Sequence, residues 1–230
     1  MPEPLLAVER VSVSYRSRGI ESRALEDLSL SFAPGTLTLV IGPSGSGKTT
    51  LLSVLGCLLT PDSGSVFLGG QEVTRWSEAA RTRLRRQRIG FVFQAFRLFH
   101  ALTALENVTL IGDIDGSGRR PERARALLAE LGLADKAHLK PNALSGGENQ
   151  RVAIARVLVR DPDIVLADEP TASLDWRSGR RISETLADVA DARGRTVVVV
   201  SHDPRWQAFA HRVVTLEDGR AVGDTRGGRA

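Results

Sequence analysis

Residues 42–49 read Gly42-Pro43-Ser44-Gly45-Ser46-Gly47-Lys48-Thr49, and this stretch decides the fold class of the chain. It follows a short apolar run over 36–41, which is typical of a buried strand, and it opens a helical pattern over 47–59. The glycines let successive backbone N–H groups face one anion, and the helix adds the positive end of its dipole. The pattern predicts a site for the phosphates of a nucleoside triphosphate. A glycine- and serine-rich turn before a core helix is the alternative.

Individual residues of this loop have different expected roles. Lys48 is expected to reach the β- and γ-phosphates, and the Thr49 hydroxyl is expected to hold Mg²⁺. Thr50 places a second hydroxyl near the phosphates. The residues of this segment expected to contact ATP are Gly42, Ser44, Gly45, Ser46, Gly47, Lys48, Thr49 and Thr50.

The composition is that of an ordinary folded protein with a small excess of positive charge. Of the 230 residues, 31 are basic, 27 are acidic and 42% are hydrophobic, which excludes a largely disordered chain. The single cysteine, Cys57, excludes an internal disulfide. No apolar run approaches the roughly 18 residues that span a bilayer, and the start of the chain lacks the features of a signal peptide, so we expect a cytoplasmic location. Only three of the basic residues are lysines, and the arginine excess leaves a nucleic-acid partner open at this point.

Predicted strands alternate with predicted helices along the chain, which is typical of an α/β fold. Residues 1–222 are expected to form one domain with a mainly helical segment at about 95–160. Within that segment the residues 112–118 are predicted to form a polar loop. The glycine- and arginine-rich residues 223–230 are expected to be a frayed, flexible tail.

Two acidic residues, Asp168 and Glu169, follow a second apolar run over 164–167. The carboxyl end of a buried strand is where ligands bind in open α/β sheets. Asp168 can organise Mg²⁺, and Glu169 can then orient and deprotonate the attacking water. An exposed strand end that is capped by acids is the alternative.

The segment Leu144-Ser145-Gly146-Gly147-Glu148-Asn149-Gln150-Arg151 resembles the signature motif of ATP-binding-cassette (ABC) ATPases. Physically it is a serine and two glycines at the start of a helix, which is a second place where backbone N–H groups can receive an anion. An N-capped helix with a glycine-rich entry is the alternative for the segment alone. In the ABC family the signature of one subunit closes on the ATP held by the phosphate loop of the other. The resemblance therefore implies two ATP molecules in a head-to-tail dimer, with Ser145, Gly146 and Gly147 contacting nucleotide.

The resemblance extends over residues 5–222 and assigns roles to further positions. Gln94 resembles the family's glutamine that contacts Mg²⁺ and senses the membrane partner, and His202 resembles the switch histidine at the γ-phosphate. The segment 173–175 resembles the loop that crosses the dimer interface, and Trp176 after it is expected to cap the next helix against the core. Tyr15 lies where the family places an aromatic ring on adenine, with a core position as the alternative.

The fold implied by the resemblance is the phosphate-loop NTPase core of the ABC ATPases with an antiparallel β subdomain and a helical signature subdomain. The implied cofactors are ATP and Mg²⁺. The implied catalytic residues are Lys48, Glu169 and His202, and the implied metal ligands are Thr49, Gln94 and Asp168.

Finer features place the chain near one branch of the family. The stretches 89–94, 102–108 and 167–175 are similar to the branch that serves lipoprotein release, macrolide export and heterocyst-glycolipid export. That branch implies a separate transmembrane permease subunit, a second ATPase subunit (a homodimer) and a place on the inner face of the cell membrane. The polar residues 112–118 depart from the branch near the surface that receives the membrane subunit.

Other functions are compatible with some of these sequence features. An importer or a cell-division complex would use the same ATPase residues. A soluble ABC ATPase that acts on nucleic acid or ribosomes is suggested by the arginine run Arg81, Arg83, Arg85, Arg86 and Arg88. Such proteins carry two cassettes or a long coiled-coil insertion, so we interpret the run as a solvated helix and expect no nucleic-acid partner. The transported substrate is not readable.

Overall fold

The computed structural model describes residues 4–17, 20–115 and 120–229. Within these ranges the chain forms ten strands, six α-helices and three short 3-10 turns. The strands are β1 Leu6–Ser17, β2 Ile20–Phe32, β3 Leu37–Ile41, β4 Ser63–Leu68, β5 Gln71–Glu72, β6 Ile89–Val92, β7 Ile164–Asp168, β8 Thr196–Val200, β9 Arg212–Glu217 and β10 Arg220–Arg226. The helices are α1 Lys48–Leu55, α2 Glu78–Arg88, α3 Ala104–Asp115, α4 Pro121–Glu130, α5 Gly146–Leu158 and α6 Trp176–Arg193.

A four-stranded antiparallel sheet has the order β2-β1-β4-β5. β1 pairs with β2 from Leu6 opposite Phe32, and with β4 from Leu6 opposite Leu68. One face of this sheet is apolar and buried, and it includes Val8 and Val66. The residues that alternate with these along each strand are more exposed. This period of two is what a sheet with one covered face requires.

A six-stranded sheet has the order β10-β9-β3-β8-β7-β6 and forms the centre of the molecule. Its strands are parallel except for β10, which pairs antiparallel with β9. The strands β3, β7 and β8 are buried nearly throughout, because both faces of this sheet are covered. The α/β architecture with a separate antiparallel sheet agrees with the predicted fold class.

Alternate residues of the central strands enter two different apolar cores. Leu39, Val165 and Val197 pack with α5 and α6, whereas Val40 and Val198 pack with α1 and the antiparallel sheet. Each such side chain contributes about 1.5–3 kcal/mol when it is fully buried. The carboxyl ends of β3, β6, β7 and β8 consequently meet at one fixed edge of the sheet.

The helices α3, α4 and α5 pack against one another through residues such as Val108, Leu128 and Val152. Buried Asn107 closes the turn before α3, because its amide Nδ2 donates to the carbonyl oxygens of Phe99, Leu102 and Thr103. None of the helices in the described ranges combines the length and the apolar character needed to cross a lipid bilayer.

The polar loop predicted over 112–118 differs from the structure. Helix α3 continues through Asp115, so the loop predicted from Gly112 is wrong at its start, and residues 116–118 lie outside the described residues. A glycine costs only about 1 kcal/mol inside a helix, which does not stop a helix that is already formed.

The frayed tail predicted over 223–230 is also wrong where the structure describes it. β10 runs to Arg226, and the N–H of Gly227 donates to the carbonyl oxygen of His211 at 2.9 Å. Arg229 forms ion pairs with Asp188 and Asp191 of α6. Pairing with β9 supplies backbone hydrogen bonds that the glycine-rich composition does not reveal. Ala230 lies outside the described residues.

Candidate functional site

At two positions of the loop between β3 and α1, the backbone leaves room only for glycine. Gly47, which begins α1, has φ 97°, and a Cβ there would lie 2.1 Å from the carbonyl oxygen of Ala24. A Cβ on Gly42 would lie 2.0 Å from the carbonyl oxygen of Leu216. Gly45 has φ 82° with open space beside it. The loop therefore forms a tight concave cradle with its open side at Gly45.

Lys48 folds over this cradle. Its ammonium donates to the carbonyl oxygens of Gly42 at 2.9 Å and Pro43 at 2.7 Å. Both acceptors are neutral, and charged phosphate oxygens are stronger acceptors for an ammonium. The side chain is thus available to a phosphate group in the position that the sequence predicted.

Thr49 and Asp168 meet across the edge of the sheet. The Thr49 hydroxyl donates to the Asp168 Oδ1 at 3.3 Å. Burial raises the pKa of Asp168, while the hydrogen bond from Thr49 acts in the opposite direction. A hydroxyl and a carboxylate oxygen in one place are ligands that Mg²⁺ prefers.

Glu169 lies in an unusual backbone conformation directly after β7. Its φ is 45°, which is the left-handed region that favours glycine, and its N–H donates to the carbonyl oxygen of Val200 at 3.0 Å. Such a conformation costs about 1–3 kcal/mol and is maintained by the surrounding contacts. It turns the carboxylate away from the strand and toward the segment that follows β8.

Three donors from that segment bind the Glu169 carboxylate. Oε2 accepts from the Ser201 hydroxyl at 3.0 Å, and Oε1 accepts from the N–H and from Nδ1 of His202 at 3.1 and 2.8 Å. A carboxylate offers about four acceptor positions, so about one remains for a further donor such as water. Ser201 was not identified from the sequence, although its position between the β8 run and His202 was a usable signal.

Tyr15 also lines this cleft. Its side chain is 49% exposed, and its hydroxyl lies 3.4 Å from the Thr50 hydroxyl oxygen. An exposed ring at the wall of a cleft agrees with the predicted contact to a flat ligand, and it excludes the core position that was the alternative.

The cleft has a volume of about 730 Å³. It brings together most of the residues predicted from the sequence: Tyr15, Gly42, Ser44, Gly45, Gly47, Lys48, Thr49, Thr50, Asp168, Glu169 and His202. Ser46, the remaining predicted residue of this loop, is buried. One wall of the cleft was not predicted from the sequence: it is formed by Ser22, Arg23 and Ala24, because Tyr15 pairs with Ser22 across β1 and β2.

Gln94 and the signature residues do not line this cleft. Gln94 lines a second cavity of about 510 Å³ together with Phe96, Asn149 and Ser173. Gly146 packs against the segment after β7, since a Cβ there would lie 3.4 Å from the Leu174 Cδ2, and Gly147 packs against α6, since a Cβ there would lie 2.6 Å from the Ser178 Cβ. Within one copy, the second predicted anion-binding turn is therefore separate from the phosphate cradle.

The signature turn is held by a reciprocal pair of hydrogen bonds. The Glu148 N–H donates to the Ser145 Oγ at 3.3 Å, and the Ser145 N–H donates to the Glu148 Oε2 at 2.8 Å. Lys136 binds the second carboxylate oxygen. The hydrogen bonds from Lys136 and then from Ser145 lower the pKa of Glu148 to about 2.

Trp176 stands on the surface beside the segment 173–175, so its predicted packing against the core is wrong. Its side chain is 62% exposed, and the Arg205 guanidinium carbon lies 5.0 Å from the ring centroid. The Arg205 Nε donates to Asp203, the residue after His202. These contacts connect the start of α6 to the segment that holds His202.

The arginine run on α2 is partly engaged within the fold. Arg81 and Arg85 form ion pairs with Glu78 at 3.0 and 2.5 Å, and Arg88 pairs with Asp163. The side chains of Arg81 and Arg85 are largely covered by these contacts, so the run is less solvated than predicted.

Comparison with known proteins places this geometry in a family. A model of the ABC transporter family matches residues 25–172. The macrolide export ATP-binding/permease protein MacB of Burkholderia pseudomallei (strain 1710b) is 44% identical over 226 residues, or 97% of this chain and 34% of that protein. MacB 1/2 of Paracoccus denitrificans (strain Pd 1222) is 46% identical over 227 residues, or 98% of this chain and 34% of that protein. The chain thus spans about a third of the length of these relatives.

A solved structure is similar over nearly its whole length. The dimeric post-hydrolysis state of the ATP-binding cassette MJ0796, bound to ADP and Pi, has a TM-score of 0.88 and 38% identity, and the match covers 98% of this chain and 99% of that one. These similarities confirm the resemblance and the fold class predicted from the sequence. The chain belongs to the ABC transporter family, in which it is an ATPase cassette.

Proposed function

We propose that this cassette hydrolyses ATP as a head-to-tail dimer of two copies and drives a transmembrane permease on a separate polypeptide. The observation that carries the proposal is the Glu169 carboxylate, which is fixed by Ser201 and His202 at the edge of the Lys48 cradle. That arrangement provides a base, an orienting group and a phosphate site in one cleft.

In this proposal, nucleotide binding begins at groups that line the cleft. Tyr15 packs against the adenine, and the loop N–H groups with Lys48 receive the phosphates. The glycine contacts at Gly42 and Gly47 support this assignment, because any Cβ there would distort the cradle. Lys48 exchanges two carbonyl oxygens for phosphate oxygens.

Mg²⁺ fits the donor set at the edge of the sheet. The Thr49 hydroxyl and the Asp168 carboxylate would hold it, and Gln94 would join from the end of β6. When bound, Mg²⁺ neutralises negative charge on the β- and γ-phosphates. Gln94 lines the neighbouring cavity in this structure.

Glu169 accepts the proton in the chemical step. The oxygen of a water bound to the free acceptor position of Glu169 attacks the γ-phosphorus, and the bond from that phosphorus to the β,γ-bridging oxygen breaks. The proton of the water moves to the Glu169 carboxylate. The exposed His202 ring presents its outer nitrogen to the γ-phosphate.

The position of the signature supports the dimer. Ser145 and the two glycines form the start of α5, and they are not among the residues that line the phosphate cleft of their own chain. A second copy, related head to tail, would bring this turn onto the γ-phosphate held by Lys48. The dimeric arrangement of the similar cassette MJ0796 supports the proposal.

The membrane partner is proposed from the relatives. The similar proteins named MacB are described as ATP-binding/permease proteins, and this chain matches about a third of their length. We infer a cytoplasmic, peripheral position on the inner face of the membrane. Co-purification from detergent-solubilised membranes tests this inference: a four-span partner with a large extracytoplasmic domain supports the export branch. A partner with six or more spans favours an importer, and a cell-division protein favours the regulatory alternative.

Replacement of Glu169 by Gln tests the ATPase proposal. The variant should bind ATP, accumulate as an ATP-dependent dimer in light scattering, and release phosphate at less than about a hundredth of the wild-type rate, in the range expected for loss of a general base. Wild-type phosphate release by this variant would contradict the role of Glu169. A monomer under all ATP concentrations would contradict the dimer.

A further inference from the structure

Glu148 occupies the first turn of the signature helix α5, where its charge matters to any anion bound there. Its Oε2 takes the backbone N–H of Ser145 at 2.8 Å, so that donor is used within the turn. The Ser145 hydroxyl accepts from the Glu148 N–H and keeps its own proton for another acceptor. The first-turn N–H groups of a helix also lack partners inside the helix. Because of these reciprocal hydrogen bonds, the donors that remain for a ligand are the Ser145 hydroxyl and the other first-turn N–H groups.

A carboxylate in this turn has a cost for phosphate binding. Both the carboxylate and an incoming phosphate are stabilised by the positive helix start, and they repel each other at short distance. Glu148 is also largely covered, with 15% of its side chain exposed, so water screens the repulsion only partly. Without a counter-charge, Glu148 would oppose the ligand that the turn is proposed to receive.

Lys136 supplies that counter-charge from a different part of the chain. Its ammonium binds the Glu148 Oε1, the oxygen that Ser145 does not use. The backbone around Lys136 is anchored to α3, because the N–H of Leu105 donates to the carbonyl oxygen of Ala137 at 2.9 Å. The cation is thus held in place by elements outside α5.

A second cation near Glu148 is Arg151, which lies one turn further along α5. It is buried, and burial lowers its pKa, as does the charge of Arg181. The charge of Glu148 acts in the opposite direction on the pKa of Arg151, whereas the hydrogen bond from Lys136 contributes most to the lowered pKa of Glu148. Lys136 is therefore the cation whose removal changes the Glu148 carboxylate most.

We propose that Lys136 is a positioning residue for the signature turn, because it keeps Glu148 bound to the Ser145 N–H and cancels its charge. The Ser145 hydroxyl and the first-turn N–H groups are then free to receive the γ-phosphate held by a second copy. This inference rests on the proposed function, since it needs the signature to close on nucleotide.

The test uses the full chain with Glu169→Gln as the parent and compares ATP-dependent dimerisation by sedimentation velocity. Lys136→Met should weaken dimerisation about tenfold, as expected for one uncancelled charge in a partly screened site. Lys136→Arg should stay close to the parent. Adding Glu148→Gln to Lys136→Met should restore dimerisation to within about threefold, because Gln keeps an acceptor for Ser145 but carries no charge.

Matched controls separate this role from a general loss of structure. Lys140→Met removes the same charge from an exposed site four residues away and should dimerise like the parent. Binding of a fluorescent ATP analogue to the monomer should be unchanged in every variant, because Lys136 lies outside the phosphate cleft. Thermal unfolding confirms that each variant is folded, and Lys136→Gln, which also removes the charge, replaces Lys136→Met if that variant unfolds.

Three results would overturn the inference. Dimerisation of Lys136→Met at the parent's ATP concentration would show that the cation is not needed. A double variant as weak as Lys136→Met would show that Lys136 acts through packing and not through the charge of Glu148. If the parent itself binds ATP but stays monomeric, the proposed dimer is wrong and this inference fails with it. If the parent dimerises, any loss of dimerisation in Lys136→Met is due to the change at Lys136.

Discussion

One oxygen of the Glu169 carboxylate receives two hydrogen bonds from His202, one from the ring Nδ1 at 2.8 Å and one from the backbone N–H at 3.1 Å. A carboxylate only accepts, so Nδ1 carries the proton and the outer ring nitrogen points away from Glu169. The His202 side chain is 71% exposed, while Glu169 is largely covered. The pair therefore couples a protected base to a group that can reach the ligand.

Replacement of His202 by Ala tests this coupling. We expect turnover to fall by about 10²–10⁴, because the base loses one of its orienting donors and the γ-phosphate loses a contact. Affinity for ATP should change little, because Lys48 and the loop remain. Steady-state phosphate release and binding of a fluorescent ATP analogue measure the two effects. His138→Ala, at another exposed histidine, is the control, and unchanged turnover in His202→Ala would refute the coupling.

Replacement of Gly47 by Ala should abolish ATP binding. The new Cβ would meet the Ala24 carbonyl oxygen at 2.1 Å, and a φ of 97° is unfavourable for any other residue. Gly35→Ala is the matched control, since Gly35 also has a positive φ but has open space beside it. That control should lose about 1 kcal/mol of stability and still bind ATP. Calorimetric titration with ATP checks both variants, and retained binding in Gly47→Ala would contradict the cradle geometry.

Replacement of Tyr15 should separate binding from chemistry. Tyr15→Ala removes the exposed ring and should raise the KM for ATP about tenfold, a value typical of one lost aromatic contact of about 1–1.5 kcal/mol. The kcat should stay near the wild-type value, because Tyr15 contacts Thr50, whereas the Glu169 carboxylate is held by Ser201 and His202. Tyr15→Phe keeps the ring and loses only the long contact to Thr50, so it should behave like the wild type. An unchanged KM in Tyr15→Ala would exclude stacking.

Glu148 should make stability depend on pH in the acidic range. Its pKa is lowered to about 2, so its stabilising contribution is complete above the unfolded value of about 4.3 and is lost as the pH falls toward 2. Urea unfolding at pH 6, 4 and 3 measures the effect. The free energy of unfolding of the wild type should approach that of Glu148→Gln as the pH falls. A difference between the two proteins that stays constant over this range would contradict the lowered pKa.

Local signals predicted several elements well. The sequence predicted a helix that carries the arginine run and a helix that begins near Trp176, and both are present; Ser77 and Asp175 cap their starts through side-chain hydrogen bonds. The phosphate loop, Asp168 and Glu169 were predictable because each follows a short apolar strand. In a parallel sheet such strand ends meet without any further information.

Other features depend on contacts between distant segments. Ser22 and Arg23 reach the cleft only because of the register of β1 and β2, which includes shifts that the alternation of apolar residues does not reveal. Gln94 follows β6 and lines the neighbouring cavity together with Asn149 and Ser173, two residues that lie far from it in the sequence. The tail over 223–229 is ordered by pairing with β9 and by Arg229, which no local propensity indicates.

The exposed ring of Trp176 gives the protein an optical signal of its own. The chain has three tryptophans: Trp206 is fully buried, Trp76 is half-buried, and Trp176 stands on the surface next to Arg205. Quenching by iodide therefore acts mainly on Trp176. Any change around the start of α6 when nucleotide is added becomes visible as a change in that quenching, without a label and without a substitution.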